Sequence, residues 1–260
     1  MKNAVKKAYK NYDSVNLLGV NIDVVDGHTV PKLILEHLLE DRPATIFNVN
    51  VHAMNLAYSN DEFRNSLNKA DIVFSDGFGV NLGATLLGLT LGSRMTYADH
   101  LDDILAFCAK HKKRIFLLGD IDEVGRLFKA AAIKKHPELI FSGTHHGFFE
   151  KKGEESDQVV TLINDSNTDV LMLAMSMPLQ EVWCDNNKSK LNTTINMSIG
   201  GLPRIYIGWI ARGPKWMTDN GLEWFYRLMV QRSTVFNRYV IGNPLFFFRI
   251  LKSRLFGSKR

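Results

Sequence analysis

The 260-residue chain has only two cysteines, Cys108 and Cys184, far apart in sequence. No C-x-x-C pair or Cys/His cluster exists, which argues against a disulfide framework or a structural zinc site. Two unpaired thiols fit a reducing, cytoplasmic compartment. No run of eighteen apolar residues occurs, so no spanning helix is expected. Residues Met1 to Lys10 carry four lysines and no apolar core, so no signal peptide is expected. Neither a Walker loop nor G-x-G-x-x-G is present, which argues against a dinucleotide-dependent oxidoreductase. No bound cofactor is expected.

What remains is an ordinary globular composition, 45% hydrophobic and 23% charged, with length for one large domain or two small ones. Its charge is uneven. From Arg204 to Arg260 there are eleven Lys/Arg and two acids, a net +9, whereas the first 203 residues carry 21 basic and 25 acidic residues, a net −4. The same tail holds twelve of the 27 aromatics. Such a block suits anionic lipid, nucleic acid or an anionic substrate, or is a set of packed helices with solvated charges.

Short runs rich in Val, Ile, Leu and Phe read as strands buried on both faces: Ala44–Asn50, Asp71–Ser75, Arg114–Leu118, Leu139–Gly143, Asp169–Ala174 and Thr194–Ile199. Helical patterns lie between them at Val30–Leu39, Ala98–Lys110, Glu123–Lys135, Glu155–Asn164 and Leu179–Asn187. Val15–Val25 reads as a strand or hairpin. The alternation predicts an α/β fold, Rossmann-like, with a mainly parallel sheet and helices on both faces. After about Pro203 the pattern becomes nearly continuous helix, broken at Asn243–Pro244. The expected organisation is a core over residues 1–203 and a helical appendage over 204–260.

Ligands of open parallel sheets bind beyond the carboxyl ends of the strands, so the residues following each strand are the candidates. Asp76 ends an apolar strand and precedes Gly-x-Gly, where a carboxylate is placed to take a proton from an attacking hydroxyl; a turn or N-cap aspartate is the other reading. The amides of Gly119, Gly147 and Gly200-Gly201 are candidates for contact with a nucleotide. Asp120-Ile-Asp122 has a spacing that can hold a cation, although an N-cap role for Asp122 is simpler. His145 and His146 are expected on opposite faces of a strand, with one of them, His146, facing phosphate or sugar. Arg94 suits a bidentate phosphate contact. Gln180 either hydrogen-bonds a sugar or uracil, or caps a helix.

Together the stretches NVNVHAMNLA, ADIVFSDGFGV, FLLGD with GTHHGFF, MPLQEVW, SIGG, RGPKWMTDNGLEWFYRL and RYVIGNPLFFFRIL resemble the WecG/TagA/CpsF family, glycosyltransferase family 26, from about Val15 to Leu251. The resemblance implies an inverting, metal-independent transfer of a sugar from a UDP-sugar to a polyprenyl-diphosphate-linked acceptor in cell-surface polymer synthesis. It implies a Rossmann-like core whose C-terminal appendage completes the active site. Carried over by position, the proposed base is Asp76, the active-site arginine Arg94 and the glutamine Gln180. A polar Thr/Asn pair falls on Asn48 and Asn50. The nucleotide-contacting glycines fall on Gly200 and Gly201, and the appendage's basic residues on Arg212, Arg227 and Arg238. The chain departs from the pattern at Asn48 (usually Thr), Leu179 (usually Lys), Asp120 (usually Gly) and Pro203-Arg204 (usually Phe-Asp), which leaves the donor sugar open.

The expected partners are thus a UDP-sugar, a polyprenyl-linked glycan and an anionic membrane surface, with a homo-oligomer left open. Leu245–Arg260 has eight large apolar residues, five Lys/Arg and no acid, the composition of an interfacial helix. Truncation at Gly242 is therefore expected to release the protein from anionic vesicles. A non-catalytic UDP-sugar-binding or scaffold protein is the alternative. Nucleic acid is not expected, because Phe246-Phe247-Phe248 suits a bilayer better than stacking on bases.

Overall fold

The computed structural model describes residues 12–93, 95–231 and 235–257. Six parallel strands form the central sheet: β3 (Ala44–Val49), β4 (Ile72–Ser75), β5 (Arg114–Gly119), β6 (Ile140–His145), β7 (Val170–Ala174) and β8 (Ile195–Ser198). Their order is β4-β3-β8-β7-β5-β6. A separate antiparallel hairpin, β1 (Ser14–Leu17) with β2 (Val20–Asp23), precedes it.

Side-chain alternation along the strands divides the core into two layers. Phe47, Val49, Phe116, Leu118, Leu171 and Leu173 face one layer. Ile46, Ile115, Leu117, Met172, Ile195 and Met197 face the other. The second layer is closed by α1 (Thr29–Leu39), α5 (Tyr97–Lys110), α6 (Asp122–Lys135) and the short α9 (Leu202–Tyr206). The first is closed by α2 (Val51–Ser59), α3 (Asp61–Lys69), α4 (Phe78–Leu86), α7 (Glu154–Asp165) and α8 (Leu179–Asn187).

α2, α3 and α4 are absent from the helical patterns read above. Asn50 and Asn60 cap the first two, each side chain accepting from the amide three residues on, a clear N-cap signature. α4 is glycine-rich, which lowers its helical propensity; Gly83 is there because a Cβ would lie 2.6 Å from the Phe246 ring. Packing has overridden propensity.

The C-terminal segment continues with α10 (Lys215–Asp219), α11 (Glu223–Val230), a π-helical segment (Asn237–Ile241) and α12 (Gly242–Phe256). The 203/204 boundary falls inside α9. Asn243–Pro244 does not break the last helix. Pro244 sits in the first turn of α12, where its missing N–H costs little, and the π-helical segment runs directly into that turn. α12 buries Phe246 and Ile250 completely, Arg249 Nη1 donates to Asn55 Oδ1 at 2.8 Å, and Asn55 Nδ2 donates to the Gly242 carbonyl at 2.7 Å. Truncation at Gly242 would remove part of the core, so it does not test membrane contact cleanly.

Candidate active site

The site begins where β3, β4 and β8 end. Val49 lies opposite Ser75, and the Asp76 amide extends that ladder by donating to the Val49 carbonyl at 2.8 Å. A parallel bridge to Met95 holds Asp76 on its other side. The carboxylate is therefore fixed at the sheet rim on a rigid backbone, half-buried. Asn48 Nδ2 donates to Asp76 Oδ2 at 2.8 Å. On the other flank of β3, Ile46 pairs with Met197 of β8, which brings Ser198 to the same rim. Ser198 Oγ donates to Asn48 Oδ1 at 3.1 Å.

Behind this chain lies the start of α8. Gln180 and Glu181 are both fully buried. Gln180 Nε2 donates to Glu181 Oε1 at 2.7 Å, while Gln180 Oε1 and Glu181 Oε2 have no hydrogen-bond partner. Burial raises the Glu181 carboxyl from its ordinary 4.5 to about 7, against the opposing hydrogen bond from Gln180. Gln180 is thus held within the protein by its neighbour rather than capping the helix, whose N-cap is Pro178.

The C-terminal segment supplies cations. Burial lowers the pKa of Arg238, with Arg227 lowering it further, while Tyr239 and Asp76 favour its charged form. Burial and then the Arg238 charge push His52 down to about 4, so its imidazole is neutral near pH 7. The buried Tyr97 hydroxyl has no hydrogen-bond partner; burial, then the Asp76 charge, raise its pKa. The charges that act on one another near the rim are thus a carboxylate and two guanidinium groups, beside a neutral imidazole and a neutral phenol. That set can accept a proton at one point and balance a diphosphate at another.

The other candidates are distributed as follows. Arg94 lies outside the described residues. Asn50 caps α2 through Ala53. Arg212 is occupied elsewhere, by Asp99 at 2.8 Å, Glu223 at 3.9 Å and the Ala98 carbonyl at 3.2 Å. Arg227 keeps a buried Nε without a hydrogen bond. The Gly147 amide donates to the Asp120 carbonyl and the Gly200 amide to the Leu173 carbonyl. These two amides are therefore not presented to a ligand. Gly119, at φ +136°, has Ala174 backbone where a side chain would go. Gly200 and Gly201 border open space, so both leave room beside the rim.

His145 and His146 do not point to opposite faces. β6 ends at His145 and the chain turns, leaving the rings 4.4 Å apart. His145 Nδ1 lies 2.7 Å from the His146 carbonyl, and His146 Nδ1 accepts from the Phe148 amide at 3.2 Å.

Asp122 is not the N-cap of α6; Ile121 is. Asp120 is held by Arg204 of α9, with Nε–Oδ2 at 2.7 Å and Nη2–Oδ1 at 2.6 Å. Among the described residues no group of three or more His, Cys, Asp or Glu could hold a metal ion. Asp120 and Arg204 were two separate departures from the family pattern; here they form one bidentate pair that ties α9 to the end of β5. A double-mutant cycle with Asp120→Ala and Arg204→Ala should give a coupling of about 1–2 kcal/mol in urea unfolding. Additive effects would show that the pair does not act as a unit.

His52, Tyr97, Ser198 and Glu181 form part of the site without having been assigned a role from sequence. His52 sits two residues after the Asn48/Asn50 pair, and Glu181 follows Gln180, so both had a positional signal. Ser198 and Tyr97 had none, since only the sheet order brings them to Asn48 and Asp76.

A profile described as the glycosyl transferase WecG/TagA/CpsF family matches residues 15–260. Among curated relatives are the N-acetylglucosaminyldiphosphoundecaprenol N-acetyl-beta-D-mannosaminyltransferases of Staphylococcus aureus strains MRSA252 and NCTC 8325. Each is 25% identical over 246 residues, covering 94% of either chain.

Proposed function

The chain belongs to the WecG/TagA/CpsF glycosyl transferase family, and from that premise we propose that it moves a hexose or N-acetylhexosamine from a UDP-sugar to a polyprenyl-diphosphate-linked glycan. The relatives' names support the acceptor: an N-acetylglucosamine on undecaprenyl diphosphate. The observation that carries the reading is Asp76, held at the sheet rim by Asn48, its charge felt by Arg238.

In the proposed reaction the acceptor hydroxyl oxygen attacks the anomeric carbon. The bond from that carbon to the UDP β-phosphate oxygen breaks, and UDP leaves with the electron pair. Asp76 accepts the hydroxyl proton, a contribution of about 10²–10⁴-fold. One displacement inverts the anomeric centre. Arg227 and Arg238 balance charge on the leaving diphosphate in place of a metal ion, with Arg94 as a further candidate. The chain would work at the inner face of the cell membrane, resting on it through the C-terminal segment. No helix among the described residues is long and apolar enough to cross a membrane.

The test is to incubate the protein with a panel of UDP-sugars and a short-chain prenyl-diphosphate N-acetylglucosamine, then weigh the lipid. A gain of one sugar residue, unchanged by chelator, is expected. No gain with any donor would overturn the transfer. A strict need for magnesium or manganese would overturn the metal-free mechanism.

A further inference from the structure

Soon after Asp76 comes a polar side chain that the transfer step does not use. α4 reads FGVNLGATL, and its Asn81 stands between the buried Val80 and the exposed Leu82. Asparagine is a poor residue for a helix interior, because its amide competes for backbone partners. Here the amide reaches out of the helix in two directions. Ser75 Oγ donates to Asn81 Oδ1 at 2.5 Å, and Asn81 Nδ2 donates to the Gly92 carbonyl at 2.9 Å. A carbonyl can only accept, so Gly92 fixes which way the amide points and leaves Oδ1 for the Ser75 hydroxyl.

Both partners lead to Asp76. Ser75 is the last residue of β4. The chain then turns at Gly77, φ +95°, a region that glycine enters without strain. The Ser75–Asn81 bond closes that turn across Asp76. Gly92 opens the segment that returns to the rim, where Met95 bridges Asp76. At Gly92 a Cβ would lie 2.1 Å from the Val25 carbonyl oxygen. The Ser93 amide donates to Asp26 Oδ1 at 2.9 Å, and Ser93 Oγ accepts from the Gly27 amide at 2.9 Å.

We propose that Asn81 is a positioning residue for Asp76, a brace between the end of β4 and the segment from Gly92 to Met95. The inference rests on Asp76 being the base.

The neighbouring bonds have other tasks. The clasp at Ser93 ties the segment to the residues after β2. The Asp76 amide ties the base to β3 through the Val49 carbonyl, and Asn48 holds one carboxylate oxygen. Asn81 joins the two supports of Asp76 to each other. Without it, the Ser75 hydroxyl and the Gly92 carbonyl lose this partner, and the turn and the segment can shift apart. A displacement of about 1 Å at a reacting group costs on the order of 10²-fold in rate. Diphosphate charge is balanced by arginines, so substrate affinity has no such dependence on Asn81.

The test is kcat for the wild type, Asn81→Ala, Asp76→Asn and the double variant, with UDP-sugar and a short-chain prenyl-diphosphate acceptor. Asn81→Ala should lower kcat on the order of 10²-fold while KM and UDP affinity stay nearly unmoved. In Asp76→Asn the same change should cost almost nothing, since no base is left to misplace. A merely structural loss would lower kcat alike in both backgrounds, and that result, or an unchanged kcat in Asn81→Ala, overturns the brace. Ser75→Ala removes one arm only and should show the same pattern with a smaller loss, which keeps the test open if Asn81→Ala fails to fold. Hydrogen exchange needs no substrate: over residues 90–97 it should quicken in both variants, and over α7 it should not. Unchanged exchange at 90–97 overturns the brace whatever the activity. Full turnover in Asp76→Asn, with the exchange difference intact, would overturn the base and not the brace.

Discussion

Replacing Asp76 by asparagine should lower kcat by about 10²–10⁴-fold and leave UDP affinity nearly unchanged. The substitution is almost isosteric, and the new carbonyl oxygen can still accept from Asn48 Nδ2, as Oδ2 does at 2.8 Å. The backbone is held independently, by the Val49 carbonyl and by the bridge to Met95. What is lost is the lone pair that takes the acceptor's proton, together with one negative charge. Losing that charge should not loosen the leaving diphosphate, because Arg238 is then less engaged by Asp76 and more available to phosphate. The measurement is steady-state transfer beside calorimetric UDP binding. Turnover within tenfold of the wild type would remove Asp76 from the role of base. A parallel collapse of UDP binding would mean that it orders the site instead.

Much of this site was legible because parallel sheets put function at strand ends. The apolar run before Asp76 marked a buried strand, and the residue after it had to lie at the rim. Asn48 was found in the same way. What could not be read was lateral order. β3 and β8 are neighbours in the sheet although most of the chain separates them, and only that adjacency links Ser198 to Asn48. The glycines are a different case. Gly147 and Gly200 satisfy their amides internally, since a buried backbone donor must be paired whether or not a ligand arrives. Asp120 and Arg204 looked like two losses, and a linear pattern has no means of showing that one compensates the other. α4 was hidden by glycines whose reason, the Phe246 ring against Gly83, is tertiary.

The second large effect is expected at the membrane. α12 has two apolar faces: Phe246 and Ile250 are buried, whereas Leu245, Phe248, Leu251, Leu255 and Phe256 are exposed. Leu245, Phe248, Leu251 and Leu255 recur at steps of three and four, one stripe of a helix, and Phe256 lies at its edge. Arg249, Lys252 and Arg254 accompany it, with no acid. α11 adds Trp224, Phe225, Met229 and Val230 and buries none of its residues. An apolar surface of this extent, if exposed in the working protein, is the kind that meets a partner or a lipid surface. Fifteen residues of helix reach about 22 Å, short of the ~30 Å hydrocarbon core, so α12 can lie on a bilayer but not span it. Changing Phe248, Leu251, Leu255 and Phe256 together to serine should forfeit about 1 kcal/mol each if half of each side chain is inserted. The total of about 4 kcal/mol is roughly a 10³-fold loss of partitioning onto anionic vesicles. The basic residues contribute about 1 kcal/mol each near an anionic surface, so salt should weaken binding of the wild type. Folding should survive, because none of the four is buried. Phe246→Ala, by contrast, should cost about 3–5 kcal/mol of stability, which separates the two faces. If the fourfold variant still sediments with the vesicles, the contact is made by another surface, α11 first among them.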